Sequence, residues 1–144
     1  GGCVQMIQQV LEGISNALYS EFGFQNYIEK IAQDMEEPCF FISCLQPEFR
    51  HYVGERYFME CQFAVQYFPK SIDHANEECY GTAQKMLWLL ETIQAGNEPL
   101  RGSKMKYEIK EGILHFFVNY DFFLHKAKRQ DAMGGMQSNV NIKK

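Results

Sequence analysis

The side chains able to do chemistry in this sequence are few and scattered. Four histidines, His51, His74, His115 and His125, are the natural general bases and metal ligands. His115 and His125 share the strand-like run "HFFVNYDFFLH", which sets them roughly 33 Å apart if the strand is straight. They cannot share a metal within one chain. His51 falls in a loop and His74 at a helix start, so solvent-facing histidines are expected rather than bases. Asp121 interrupts the aromatic run "VNYDFF". A buried Asp there would need a partner, but its strand position groups it with Asn119 and His125 on the less apolar face, where a surface role is expected. The five cysteines, Cys3, Cys39, Cys44, Cys61 and Cys79, contain no CxxC pair, which argues against a zinc site and against a disulfide framework. Cys39, Cys44, Cys61 and Cys79 have apolar neighbours and read as small hydrophobes, suited to a reducing cytoplasm. "EPLRGS" and "DAMGG" match no phosphate-cradling loop, and neither GxSxG nor HExxH occurs. The expectation is a protein that is not an enzyme, with no catalytic residue, metal or cofactor.

Composition narrows the class. A chain of 144 residues suits one domain with a real core. Mean hydropathy is -0.34, ordinary for a soluble protein, and no apolar run approaches the ~18 residues of a membrane span. The net charge of -4 and the absence of a basic stripe argue against specific nucleic-acid binding. The cluster "HKAKRQ" at 125–130 reads as part of a solvated tail. Aromatic residues make up 15 % of the chain. That richness suits either a β-rich core or an assembly surface.

The patterning supplies the elements. Ile7, Val10, Leu11, Ile14, Leu18 and Phe22 recur with helical period over 4–22, and Gly23 is a natural stop. "YIEKIAQ" at 27–33 reads as a short strand, "DMEEP" as a turn and "CFFISCL" at 39–45 as a strand buried on both faces. "QPEFRHYVGE" at 46–55 reads as a loop. In "RYFMECQFAVQYFP" the odd positions from Tyr57 to Tyr67 form an apolar row, so a long strand is expected. Its outward face begins and ends with Phe58 and Phe68. Asp73 is a plausible cap for a second helix whose stripe is Cys79, Ala83, Met86, Leu87, Leu90 and Ile93, with Trp88 off the stripe and Gly96 as its end. "GNEPLRGS" reads as a loop. Two alternating runs around the turn "KEG" make a final hairpin. The order is α-β-β-β-α-β-β. Without βαβ alternation, this predicts an α+β domain over 1–126, a mostly antiparallel sheet with both helices packed on it. Residues 127–144 lack periodicity and are expected to form a disordered tail.

The residues best suited to meet partners are Phe49, Arg50, Tyr52 and Arg56 in the 46–56 segment, Phe58 and Phe68 at the strand tips, and Leu100 and Arg101 in the 96–103 loop. Aromatic and Arg side chains dominate interface energetics. The alternative is that the aromatics fold back on their own sheet, for instance with the two helices covering opposite faces.

A family resemblance adds to this reading. The segments "MIQQVLEGISNALYSEFG", "EPCFFI", "RYFMECQFAVQYFP", "NEECY" and "RGSKMKYEIKEGILHFFVNYDFFL", in that order, resemble the phage tail terminator family, also called tail completion or tail-to-head joining proteins, of Gram-positive phages, prophages and tailocins. The resemblance spans residue 6 to about 125 and carries no chemical motif. It implies a small α+β structural protein that caps the tail tube, ends its polymerisation and joins the tail to the head-completion or connector protein. It implies a homo-oligomeric ring, usually hexameric, with DNA passing through the lumen. Assembly would occur in the host cytoplasm, and the product would reside in the tail or neck of the particle. Other classes fitting the residues are a head-completion protein, a tube subunit, or a monomeric ligand-binding module.

Overall fold

The computed structural model describes residues 2–30 and 35–125. Its elements are α1 (Gly2–Phe22), β1 (Gln25–Ile28), β2 (Cys39–Cys44), β3 (Glu48–Val53), β4 (Arg56–Phe68), α2 (Ala75–Leu89), β5 (Thr92–Ala95), β6 (Glu98–Lys110) and β7 (Ile113–His125). The fold is α+β. Seven strands run β1-β2-β4-β7-β6-β5, with β3 also paired to β4. β1 and β2 are parallel, and the other pairings are antiparallel. The expected tail at 127–144, and part of the strand expected at 27–33, lie outside the described residues.

The length of β4 follows from its pairing. One edge serves two shorter strands in succession: β2 along Phe63–Phe68 and β3 along Arg56–Glu60. β7 runs along the other edge from Leu114 to His125. Thirteen residues, roughly 43 Å, are what two partners in tandem require.

Two segments expected to be loops are strands. "EFRHYV" is β3, and all six of its residues are exposed, so no burial constraint imposes the apolar–polar alternation that marks a strand. "EPLRGS" opens β6, and the helical stripe expected to run to Ile93 breaks after Leu89. Ile93 and Ala95 are buried from β5 instead. The turn expected at "KEG" is present. Lys110 pairs with Ile113, leaving Glu111 and Gly112 between them with φ of 54° and 76°. Positive φ at both central residues is the twist-matched type I′ geometry.

The start of α2 also differs from the capping expectation. The N-cap is His74, without a side-chain capping bond, rather than Asp73. The preceding turn is held by Glu78, whose carboxylate accepts from the Tyr67 hydroxyl at 2.6 Å and from the Lys70 and Ser71 backbone N–H groups at 3.0 and 3.2 Å. Burial opposes its charge, but these bonds hold its pKa below the ordinary value. Leu87, placed in the core stripe by its spacing, is exposed.

One core joins the layers. Val10, Leu11, Ile14 and Leu18 of α1 and Cys79, Ala83 and Met86 of α2 belong to the same buried cluster as Phe63, Val65 and Tyr67 of β4 and Leu114, Phe116, Val118 and Tyr120 of β7. The Tyr120 hydroxyl donates to the Leu90 carbonyl at 2.6 Å. Side chains of β4 at odd positions, and of β7 at even ones, point the same way. Both helices therefore cover one face of the sheet, not opposite faces. Among the described residues, no helix covers the other face.

The bare sheet face as a candidate assembly surface

Alternation along β4 and β7 decides what this face displays. β4 presents Phe58, Glu60, Gln62, Ala64, Gln66 and Phe68, while β7 presents His115, Phe117, Asn119, Asp121 and Phe123. Between the two ends, Gln62, Asn119, Gln66 and His115 flank the Ala64–Phe117 pair, and Gln66 lies 3.2 Å from His115.

The corner formed by β3, the start of β4 and the end of β7 is aromatic and basic. Phe58 and Phe123 are cross-strand partners with ring centroids 4.9 Å apart. Tyr52 meets Phe123 edge-on at 5.2 Å. The Arg56 guanidinium lies over Phe123 at 4.6 Å and near Tyr52 at 5.6 Å. Arg50 lies 5.5 Å from the Phe58 centroid and pairs with Glu60 at 2.7 Å. Rings and guanidinium groups stacked in this way fix their side chains before any partner arrives, lowering the entropic cost of binding.

The structure thus brings together Arg50, Tyr52, Arg56 and Phe58. Phe49 is nearby but on the helix side of β3, stacked on Tyr57 at 4.9 Å. Phe68 is half-buried at the far end of β4, opposite Cys39. Leu100 is only 9 % exposed and belongs to the core, so it is not displayed for a partner in the single chain. Arg101 is exposed and lies 3.6 Å from Glu91, away from this corner. Phe123, a central member of the corner, was absent from the sequence candidates. Its alternation with Phe122 was the available signal.

Beside the aromatic corner, three carboxylates stand in register. Glu48 opposes Glu60, and Glu60 opposes Asp121. Like charges directly opposed across strands are destabilising. Arg50 relieves Glu60. Asp121 has one carboxylate oxygen, Oδ1, that is buried and has no hydrogen-bond partner. Glu48, Glu60, Gln62, Lys104, Lys106 and Asn119 line a shallow hollow of about 490 Å³ here. Among the described residues, no group of three or more His, Cys, Asp or Glu is arranged to hold a metal ion.

Burial pushes the Asp121 carboxyl up, and Glu60 adds to this, while the Cys61 backbone bond, Lys104 and Arg50 pull the other way. A carboxyl raised in the folded state penalises the native form when it ionises. Stability is therefore lost as pH rises from the ordinary Asp value of about 3.9 through the raised folded value. Asp121→Asn should melt higher than the wild type near neutral pH, by about 1 kcal/mol or about 3 °C. The gap should close below about pH 3, where both states hold the proton. Calorimetry across this range checks it, and an Asn variant that melts lower at neutral pH would overturn it.

A family model described as phage tail terminator protein matches residues 9–132. The match covers most of the chain, which therefore belongs to the phage tail terminator family. Membership makes it a structural component of the phage tail and implies a non-enzymatic role. No curated protein matches the sequence. One solved structure, bearing only a sequence identifier, aligns over 88 % of this chain and 96 % of its own at 11 % identity, with a TM-score of 0.47. Among the described residues, no helix is long and apolar enough to cross a membrane.

Proposed function

We propose that this chain caps the phage tail tube, ends its polymerisation and presents a surface to the head connector, as a ring of copies and most simply a hexamer. The family match carries this reading. The uncovered sheet face supports it, because an exposed, stacked aromatic–Arg corner is the composition of an interface centre. The net charge of -4 suits a conduit that must let DNA through without holding it. Particles would be assembled in the host cytoplasm and would carry the protein at the head-proximal end of the tail. The Gram-positive phage or prophage origin suggested by the sequence resemblance belongs to the same proposal.

The test is removal of the gene from its phage, prophage or tailocin cluster and electron microscopy of the products. Tubes of uncontrolled length without heads are expected, restored to uniform joined tails by the wild-type gene. Complete absence of tubes would assign a tube-subunit role and overturn the reading. Tails of normal length that fail only at the head would move the protein to head completion and overturn the capping role.

A further inference from the structure

The helix layer carries a second exposed apolar surface on the opposite side of the slab. Along α2, Tyr80, Leu87 and Trp88 are exposed, Trp88 to 73 %. With Glu77 and Gln84 they fall within about 100° of helix circumference, away from the buried Cys79, Ala83 and Met86. Glu77 opens this stripe, and Glu91 lies just beyond its other end. Glu91 already faces Arg101, so the stripe is aromatic with an acidic start at Glu77, whereas the bare-face corner is aromatic with Arg56 as its unpaired basic member. Among the described residues, Arg56 has no carboxylate within salt-bridge distance, and Glu77 has no cationic group within that distance.

We infer that the contact between ring neighbours seats the α2 stripe of one copy on the aromatic–Arg corner of the next. This rests on the ring reading above. Two patches on opposite faces of one slab cannot meet within a chain. A two-fold pairing of like patches would put Arg56 against Arg56 or Glu77 against Glu77, and like charges across an interface cost affinity; a reciprocal two-fold pairing of the unlike patches would need both on one side of the slab, and they lie on opposite sides. Pairing the unlike patches joins aromatic to aromatic and Arg to Glu. It is head-to-tail, the form of contact that closes into a ring when its rotation permits. Each copy then uses both patches, so none is left exposed.

The test places a photo-crosslinking phenylalanine derivative at Trp88 and irradiates both the concentrated protein and assembled tails. Crosslinked peptides should join residue 88 of one copy to the β3–β4 or β7 segment of another. Within an oligomer of this chain, crosslinks to a second α2, or only to other proteins, would overturn the inference and leave the ring reading intact. If neither sample contains any oligomer of the chain, the ring reading itself falls. In the concentrated protein, or on tube ends where the free chain does not associate, Trp88→Glu and Phe123→Glu should each weaken self-association at least thirtyfold. Mixed together, they should recover one contact, because each retains the patch the other lacks. Full association by either single variant would sink the proposal. Circular dichroism checks that both exposed-site variants are folded.

Discussion

Gly13→Ala should lower the melting temperature by about 6 °C, against a small rise for Gly81→Ala. Both residues are in helices, where Ala is intrinsically preferred by about 1 kcal/mol. Their surroundings differ. A Cβ on Gly13 would overlap the Gln94 carbonyl oxygen and stand 3.2 Å from its carbon, whereas one on Gly81 meets nothing within 4 Å. The obstacle at Gly13 is strand backbone, which cannot rotate aside. α1 must lift from β5, opening the contacts made by Val10 and Ile14 in the core. Overpacking of this type costs about 3 kcal/mol against the ~1 kcal/mol the helix preference returns, a net loss of about 2 kcal/mol or about 6 °C for a chain of this size. Thermal unfolding of the two variants beside the wild type is the check. A Gly13→Ala protein melting at or above the wild type would show that α1 does not press on β5 as described.

The double substitution Arg50→Glu with Tyr52→Ala should abolish tail completion while leaving the chain folded. Both residues are exposed, and the Arg50–Glu60 pair is at the surface, where such pairs contribute less than about 1 kcal/mol. The melting temperature should therefore fall by only a few degrees. The surface changes far more. Tyr52 supplies the edge-on contact to Phe123, and a Glu at position 50 would add a fourth carboxylate beside the Glu48–Glu60–Asp121 row. Loss of one anchor weakens an interface by about 2 kcal/mol, about thirtyfold, and a closed ring repeats that loss at every contact. Complementation of a null phage, counted as infectious particles, should fall by at least two orders of magnitude. Normal complementation would remove this corner from the assembly surface. A collapsed melting temperature would instead assign these side chains to the fold.

Much of the architecture was legible because burial writes itself into local sequence. The row from Tyr57 to Tyr67, the α1 stripe from Ile7 to Phe22 and the turn at Glu111–Gly112 each carry a period or a backbone demand that few other structures satisfy. The α+β class followed from their order, and the family from the conjunction of several segments. β3 was illegible for the converse reason. All its side chains are exposed, so its strand character comes from pairing with β4, a partner chosen by topology. The α2–β5 boundary was hidden because Leu90 and Ile93 continue the helical spacing while the chain has already turned into a strand. Leu87 and Leu100 exchanged expected roles: spacing suggested a buried Leu87 and an exposed Leu100, and packing reversed both.

The sequence by itself determined the alternation that gives the sheet two chemically different faces, and the supply of aromatic and Arg side chains on one of them. Only the tertiary structure decided that both helices cover the same face. Which side a helix packs on depends on how its connections cross the sheet, and no local period encodes that. The same long-range pairing brought Tyr52, Arg56, Phe58 and Phe123 from three strands to one corner. It also aligned Glu48, Glu60 and Asp121 across those strands, because antiparallel register sets residues far apart in the chain side by side.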